Sequence, residues 1–542
     1  MSRILSLLLL TALAVLPARA QLVAEHLRML TDKSCYMAGE LLCVRVDAYV
    51  GEPAADGALT ASPSRVAYLE LADTRQMVAQ VMVELSGGQG WAEIPLPKRM
   101  HSGCYQLTAY TRYMRNLGAE ASARHLIGVI NGEQTSGRDD VRFVPDSLLT
   151  AAEPAAARQP LPLTTVAPLG QVTLSLPASV TQGCAITVEQ NALATDVPGL
   201  QPIVTGQQVS QAGQGATYLP EMEGHIVTAR PVVEGAPLNL NARLALIGRS
   251  ATIYDGQRQP DGSYHFYTTG VRGNLPTLVS AYDPTGLAVP MQLVSPYAVQ
   301  LPRELPTLRV SCTESVLAER ATAARRQAAV NDWMHQDTLS HSTGFMAETP
   351  RYFYDLDEYT QMSTIHELIV EFVRGVRRQK EGDINMLFTF DPQTRDYATL
   401  PALVLLDGMP VYDIDEILEY DAHLVKYVQI YTGRFTFGQS CCQGVISFIT
   451  RGGCLSNYKL DIGSQLMSYA FPQQRPTFAP HTAACPPSGC PHSTLLWEPA
   501  VRDESYTFRA PAAPGRYQVT IQGYHADGSH FTQQSLIEVR NQ

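Results

Sequence analysis

Short segments of alternating apolar and polar residues recur along most of the chain. Residues 42–49 read Leu-Cys-Val-Arg-Val-Asp-Ala-Tyr, and residues 240–271 alternate Leu, Ile and Tyr with polar positions around Pro260-Asp261-Gly262. A period near two is typical of half-buried strands, and Gly and Pro mark the turns between them. The chain is therefore predicted to be mainly β. At about 100 to 200 residues per domain, its length predicts three to five units.

Two segments depart from this pattern and predict helices. Residues 314–335 are rich in Ala, Arg and Glu, and Thr313 precedes them as a candidate cap. Residues 365–373 place apolar side chains at the three-and-four spacing of an amphipathic helix. The basic residues 374–380 suit the C-terminus of that second helix, where positive charge is favoured.

Polar and Pro-rich stretches divide the chain into predicted units. The predicted units are a β-sandwich at 22–131, a linker at 132–170, a further sandwich region at 171–301, a helical connector at 302–345, a small α/β domain at 346–455, a Pro-rich linker at 472–491 and sandwich strands at 492–542. The C-terminal strands form either another sandwich or the missing strands of an earlier one.

Residues 1–20 have the features of a secretory signal peptide. Arg3 precedes an apolar run at 4–10, and Ala-Arg-Ala at 18–20 forms a small-x-small cleavage site. The run is shorter than the ~20 residues of a membrane helix, and no later stretch is both long and uncharged. We therefore expect an exported chain with no transmembrane segment after processing.

The mature chain is acidic. Removing Arg3 and Arg19 leaves 38 basic and 51 acidic residues, a formal charge of −13. Without a basic cluster, such a chain is not expected to bind nucleic acid or anionic lipid surfaces.

All ten cysteines follow the predicted signal peptide, where an oxidising compartment permits disulfides. The candidate pairs are Cys485 with Cys490, Cys454 with Cys441 or Cys442, and Cys104 with Cys35 or Cys43. Connectivity does not follow from sequence, so these alternatives stay open.

The first predicted sandwich carries two recognisable patterns. Residues 31–40 read TDK-x-x-Y-x-x-GE, and residues 103–111 read G-x-Y-x-L-x-A-Y-T. They resemble the start and end of the second macroglobulin domain, which implies an immunoglobulin-like sandwich of about seven strands. Residues 217–233 resemble a segment found beside such domains in secreted proteins of the Bacteroidetes, so the region 171–301 is predicted to be macroglobulin-like as well.

Residues 400–453 contain LVLLDGMPV, VKYVQIYTG and GVISFITRGG in that order. This segment resembles the plug domain of TonB-dependent outer-membrane receptors. A receptor barrel needs about 22 strands, and only 89 residues follow Gly453, so a plug-like domain without its barrel is expected. The resemblance implies plug-motif or partner-contact roles for Asp407, Gly408, Tyr431, Gly433 and Gly444.

Candidate catalytic, cofactor and metal sites are weak in this sequence. His366-Glu367 is followed by Val370 where a zinc-binding helix needs its second histidine. The acidic residues between 413 and 421 lack the spacing of a calcium loop, so a solvated helix face is favoured over a calcium site. We expect no catalytic residue, cofactor or metal.

The leading hypothesis is a non-catalytic, exported interaction protein of the periplasm or outer membrane. Its partner is expected to be an outer-membrane or periplasmic protein, including a separate receptor barrel. The first alternative is an accessory subunit of a TonB-dependent nutrient-uptake or outer-membrane assembly complex. The second is a hydrolase with an unrecognised site.

Overall fold

A computed structural model describes most of the chain. The described residues are 24–51, 59–132, 140–145, 149, 162–177, 180–197, 217–233, 235–247, 252–335, 349–382, 384–437, 440–453, 455–473, 476, 492–525 and 528–541. The predicted signal peptide and most of the Pro-rich linker lie outside them, as do Cys454, Cys485 and Cys490.

Strands follow one another through the first 300 residues. Their bounds are β1 (Glu25–Thr31), β2 (Cys35–Met37), β3 (Leu41–Val50), β4 (Thr60–Ala61), β5 (Val66–Ala72), β6 (Met77–Glu84), β7 (Gln89–Pro95), β8 (Gly103–Thr111), β9 (Ala123–Ile130), β10 (Val141–Phe143), β11 (Leu163–Val166), β12 (Gln171–Ser175), β13 (Val180–Gln190), β14 (Ala194–Thr195), β15 (Ile226–Pro231), β16 (Asn241–Leu246), β17 (Thr252–Asp255), β18 (Gln257–Arg258), β19 (Tyr264–Tyr267), β20 (Asn274–Tyr282) and β21 (Met291–Val294).

The remaining part of the chain mixes helices and strands. The bounds are β22 (Leu308–Ser311), α1 (Glu314–His335), β23 (Tyr352–Asp355), α2 (Ile365–Glu371), β24 (Val376–Glu381), β25 (Ile384–Asp391), β26 (Asp396–Tyr397), β27 (Leu403–Leu406), β28 (Met409–Val411), α3 (Ile414–Leu418), β29 (Val425–Phe437), β30 (Ser440–Thr450), β31 (Ser464–Ala470), β32 (Thr494–Val501), β33 (Ser505–Arg509), β34 (Gly515–His525) and β35 (His530–Val539). The prediction of a mainly β, multidomain chain is confirmed.

The first sandwich comprises β1 to β9. One sheet has the order β1-β3-β4 with β7 paired to β3, and the other has the order β2-β9-β8-β5-β6. Alternate apolar residues of both sheets meet in one core, in which Leu42, Tyr68 and Leu107 are fully buried. The alternation seen in the sequence therefore becomes the inner faces of two packed sheets.

The C-terminal sandwich joins two distant parts of the chain. Its larger sheet has the order β11-β35-β34-β13-β32, and β12 pairs with β33. The predicted boundary at residue 171 is therefore wrong, because β12 and β13 pair with strands of the predicted 492–542 unit. The predicted linker at 132–170 also contains β10 and β11, which pair with β22 and β35.

The middle sandwich comprises β15 to β21 together with β31. Its sheets have the orders β18-β19-β15-β21 and β17-β16-β20-β31. Because β31 follows β30 in the chain and pairs with β20, residues 308–450 form an insertion within this sandwich. The middle sandwich is itself inserted between β13 and β32 of the C-terminal sandwich.

An α/β module spans residues 352–450, within the region that the sequence predicts to be plug-like, and is called the plug-like module for its position alone. Its main sheet has the order β23-β29-β30-β27-β28, and β24-β25-β26 form a smaller sheet. Its core includes Ala245, Ile253 and Leu278 of the middle sandwich, so one face of the module is buried against its own chain.

The structure contains both predicted helices, one with the predicted bounds and one shorter than predicted. Helix α1 has the predicted bounds. Helix α2 begins after Thr364, whose hydroxyl accepts a hydrogen bond from the Glu367 amide, and ends at Glu371. The basic residues 374–380 do not extend it, because Val376–Glu381 pair with β25 as strand β24. Among the described residues, no helix combines the length and apolar character that crossing a bilayer requires.

The predicted disulfide between Cys104 and Cys35 or Cys43 is not formed, and all three thiols are free and buried. Strand β9 lies between β2 and β8 in the sheet. Its residue Gly128 is paired with Cys35 of β2 on one side and with Cys104 of β8 on the other. Two strand spacings separate their Cα atoms by about 10 Å, which is beyond the reach of a disulfide. Cys43 lies on the other sheet and packs against Trp497.

Cys441 and Cys442 are free thiols as well. Cys441 is exposed near the end of the β29-β30 hairpin, where its sulfur accepts a hydrogen bond from Arg434 Nε at 3.0 Å, and Cys442 is half-buried. Their predicted partner, Cys454, lies outside the described residues.

Candidate functional site

Residues of the TDK-x-x-Y-x-x-GE pattern meet at a buried junction. Glu40 accepts hydrogen bonds from Lys33 Nζ at 2.9 Å and from Arg320 Nη2 at 3.0 Å. Arg320 lies on α1, and its Nη1 donates to Glu189 on β13. Lys33, Glu40 and Arg320 are 5%, 0% and 1% exposed. The junction therefore fixes the first sandwich, α1 and the C-terminal sandwich to one another.

The charged groups at this junction favour each other's ionised forms. Burial opposes the charge on Glu40, but Arg320 and Lys33 outweigh it and lower the pKa of Glu40 to about 2. Burial likewise opposes the charge on Lys33, but Glu40 and Asp32 outweigh it and raise the pKa of Lys33 above its ordinary value. Both groups are consequently ionised at neutral pH.

A serine and a lysine lie together beside this junction. Lys33 Nζ donates a hydrogen bond to Ser493 Oγ at 2.7 Å, and Ser493 lines a cavity of about 350 Å³ next to α1. A lysine activates a serine only when its amine is neutral and accepts the hydroxyl proton. Because Glu40 and Asp32 keep Lys33 charged, this pair is a structural contact rather than a catalytic dyad.

A second buried network joins the first and middle sandwiches. Tyr68 donates to Glu221 Oε2 at 2.8 Å, and His225 Nδ1 lies 2.9 Å from Glu221 Oε1. His225 Nε2 lies 2.8 Å from the Tyr469 hydroxyl. A carboxylate beside a histidine orients the base in many enzymes. Here both ring nitrogens are engaged and fully buried, so the group cross-links the two sandwiches.

Two plug-motif residues, Asp407 and Gly408, form the β27-β28 turn. Their φ angles are 47° and 90°, the left-handed pair that a two-residue type I′ hairpin requires. The buried Asp407 carboxylate accepts hydrogen bonds from Thr450 N at 2.7 Å, Thr450 Oγ1 at 2.6 Å and Leu455 N at 2.9 Å. Asp407 thus ties the end of β30 to this turn.

The other plug-motif residues lie on the β29-β30 hairpin. Tyr431 is buried, and its hydroxyl donates to Gln429 Oε1 at 2.9 Å. Gly433 is exposed at a bulge in β29. Gly444 is buried, and a Cβ there would lie 2.0 Å from Thr389 Oγ1. Of the five motif residues, Gly433 alone is exposed, and the rest shape the module from inside.

A cleft of about 740 Å³ lies between the plug-like module and the middle sandwich, beside the core that they share. The middle sandwich contributes Arg243 of β16, Tyr282 of β20 and the following turn. The module contributes β28 and the start of α3, and Tyr458 closes the third side. Tyr282 and Tyr412 meet edge to face across the cleft, with ring centroids 5.1 Å apart.

Carboxylates line this cleft. They are Asp283, Asp413, Asp415, Glu416 and Asp461. Neutral donors hold each of them: for example, Tyr458 donates to Glu416 Oε2 at 2.7 Å, and Tyr282 donates to Asp461. Burial and the neighbouring carboxylates raise the pKa of both tyrosines, so both hydroxyls keep their protons.

The acidic residues that the sequence analysis assigned to a solvated helix face have defined structural roles. Asp413 caps α3 by accepting hydrogen bonds from the amides of Asp415 and Glu416 at 3.0 and 3.3 Å. Asp421 caps the following turn through the His423 amide. No local sequence pattern indicates the cleft, because Tyr282 belongs to the middle sandwich and Glu416 to the segment inserted in it.

Comparison with known proteins gives distant similarity only. No family model matches the sequence, and no curated protein matches it. Salmonella α2-macroglobulin reacted with methylamine aligns at 11% identity and a TM-score of 0.16, over 95% of this chain and 23% of that chain. Escherichia coli α2-macroglobulin activated by porcine elastase aligns at 11% and 0.22, over 95% and 44%. Latent PorU from Porphyromonas gingivalis aligns at 10% and 0.15, over 96% and 35%.

The chain thus spans less than half the length of these proteins. Their structural similarity to it is distant, and no functional statement rests on it.

Proposed function

We propose that this chain is a non-catalytic, exported scaffold protein of the cell envelope that docks an outer-membrane or periplasmic partner through its plug-like module. The observation that carries the proposal is the cleft beside that module, which is lined by polar side chains and lies where the module packs against the middle sandwich. Rigid walls favour binding because little conformational freedom is lost on association.

The groups with catalytic character support a binding role rather than an enzymatic one. Ser493 faces a charged lysine, and His225 is locked between Glu221 and Tyr469. The amine beside Ser493 is charged and both nitrogens of His225 are engaged, so neither site supplies a free base.

The insertion supports a module held in a fixed position. β31, which follows the module in the chain, adds an edge strand to a sheet of the middle sandwich. Apolar side chains of that sandwich complete the core of the module. The module is therefore proposed to bind a partner while it stays packed against the middle sandwich. The plug resemblance and the signal-like residues 1–20 favour an envelope location, with a separate receptor barrel among the candidate partners.

The test is capture of the partner from the envelope. The full chain carrying an affinity tag is cross-linked in intact cells, and outer-membrane and periplasmic fractions are purified separately. We expect a defined protein to co-purify in stoichiometric amount. Recovery of the chain by itself from both fractions would contradict the proposal, and so would turnover of peptide or glycan substrates by the purified protein.

A further inference from the structure

We propose that the cleft between the plug-like module and the middle sandwich binds a cationic peptide segment, with Lys or Arg side chains of the partner inserted between its tyrosines and carboxylates. The inference deepens the proposed docking function by naming the chemistry of the partner.

The first argument is charge. Five carboxylates line the cleft, and the basic side chain among the lining residues is Arg243. Arg243 is already paired with Asp255, whose carboxylate lies 3.4 Å from its Nε. The hydrogen bonds to the five carboxylates come from backbone amides, hydroxyls and the Asn385 amide, all of which are neutral donors. Five carboxylates outnumber one guanidinium in the lining, and a concave surface with such an excess of one sign of charge attracts the opposite charge.

The second argument is that the carboxylates are held in place but not neutralised. Tyr458 and Tyr282 donate O–H hydrogen bonds to Glu416 and Asp461, and Asn385 donates an N–H to Asp415. Each carboxylate oxygen has two lone pairs and accepts a second donor. The acids are therefore preorganised acceptors for ammonium or guanidinium groups, with little ordering left to do on binding.

The third argument is the apolar rim. Ile384 lines the cleft and is 68% exposed. Leu287, between the lining residues Gly286 and Ala288, is also 68% exposed, and Ile462 next to Asp461 is 79% exposed. The aliphatic stems of Lys and Arg cover apolar surface while their heads reach polar groups. The Tyr412 ring already holds Arg243 Cζ at 5.1 Å from its centroid, so the aromatic walls suit stacking with cations.

A metal ion fits the cleft less well. Among the described residues, no group of three acidic, histidine or cysteine side chains is placed to hold one. Calcium takes six to eight oxygen ligands around one point. Here the carboxylates are distributed along the cleft, which matches several separated positive charges on an extended segment.

The test uses the purified full chain and a fluorescein-labelled peptide of alternating Arg and Gly, and binding is measured by fluorescence anisotropy at about 0.1 M salt. The same peptide with Glu in place of Arg is the matched probe. The double variant Glu416→Gln/Asp461→Asn keeps the shape and the acceptors of both side chains but removes two charges. We expect it to weaken binding of the Arg peptide by about tenfold or more.

The control variant is Asp503→Asn/Glu504→Gln, which removes the same charge from an exposed loop of the C-terminal sandwich. It is expected to change the affinity by less than about twofold, because at about 0.1 M salt the attraction between charges is largely screened beyond about 10 Å. Equal loss in both variants, no binding of the Arg peptide, or displacement of that peptide by calcium would each overturn the assignment.

The two proposals fail in different ways. If the envelope capture succeeds equally well with Glu416→Gln/Asp461→Asn, docking stands and the cleft assignment fails. If the wild-type chain captures nothing but binds the Arg peptide with the expected sensitivity, the cleft assignment stands and the envelope partner is in doubt.

Discussion

The Glu40 carboxylate lies 3.0 Å from the guanidinium of Arg320, a residue 280 positions further along the chain. The pair is fully buried and shares Lys33 as a third member. It connects the first sandwich to α1, the helix that precedes the plug-like module. The packing of α1 against the first sandwich therefore depends on a polar contact between distant parts of the sequence.

Replacing Glu40 by Gln is expected to destabilise the protein by about 3–5 kcal/mol, because the buried cations Lys33 and Arg320 lose the carboxylate that they share. Urea denaturation followed by fluorescence measures the change. The control is Glu120→Gln, an exposed acid paired with Arg124, which should leave the midpoint nearly unchanged. A small loss at position 40 would mean that water reaches the junction.

Stability is expected to fall as the pH is lowered below about 6.5. Burial, followed by the charge of His530, lowers the pKa of His125 to about 3, and burial with Arg112 lowers that of His265 to about 4. Between these values and 6.5, the unfolded chain binds protons that the folded chain does not, so unfolding is favoured as the pH decreases. Thermal melting from pH 7 to pH 4 checks this.

The matched variant for the pH effect is His125→Asn/His265→Asn, which should flatten the dependence of the melting temperature on pH in that window. His423→Asn changes an exposed histidine and should keep the wild-type slope. An unchanged slope in the double variant would assign the acid sensitivity to other groups.

Gly444→Ala is expected to cost more than Gly433→Ala, although both glycines have positive φ in the same hairpin, 101° and 122°. A methyl group at 444 collides with Thr389, whereas position 433 is open within 4 Å. Placing a residue with a Cβ in the left-handed conformation costs about 1–2 kcal/mol at either position. The steric clash with Thr389 adds about 1–3 kcal/mol at position 444. Chemical denaturation of the two variants gives the difference, and equal losses would contradict the close approach of β25 to β30.

The cysteines of the first sandwich are expected to be thiols that react only on unfolding. Burial raises the pKa of Cys104 to about 12, so little thiolate forms at neutral pH. Iodoacetamide should label Cys441 in the native protein, and Cys35 and Cys104 only after denaturation without reductant. Peptide mapping by mass spectrometry reads this out. A Cys35–Cys104 cross-linked peptide would show that the strand order around β9 is wrong.

Several elements could be predicted from the sequence because their signals are local. Helix α1 follows from a run of helix-forming residues, and the β27-β28 turn follows from Asp407-Gly408, since that dipeptide adopts the required positive φ values at low cost. Residues 374–380 were misassigned because their charge suits a helix end, whereas pairing with β25 decides their conformation.

The candidate site could not be predicted, because its parts come from separate units. Tyr282 belongs to the middle sandwich and Glu416 to the insertion within it, and no local pattern records that they share a cleft. Lys33 and Glu40 were part of a recognised pattern, but their partner Arg320 was not.

By itself, the sequence determined the mainly β character, the positions of many strands and turns, and the acidic net charge, because alternation, turn residues and charge balance are properties of short segments or of composition. The tertiary structure decided which strands share a sheet, which thiols are too far apart to pair, and which charges meet. These depend on pairing between strands up to several hundred residues apart. Many alternating segments satisfy the same local pattern, and packing of the assembled cores selects one arrangement among them.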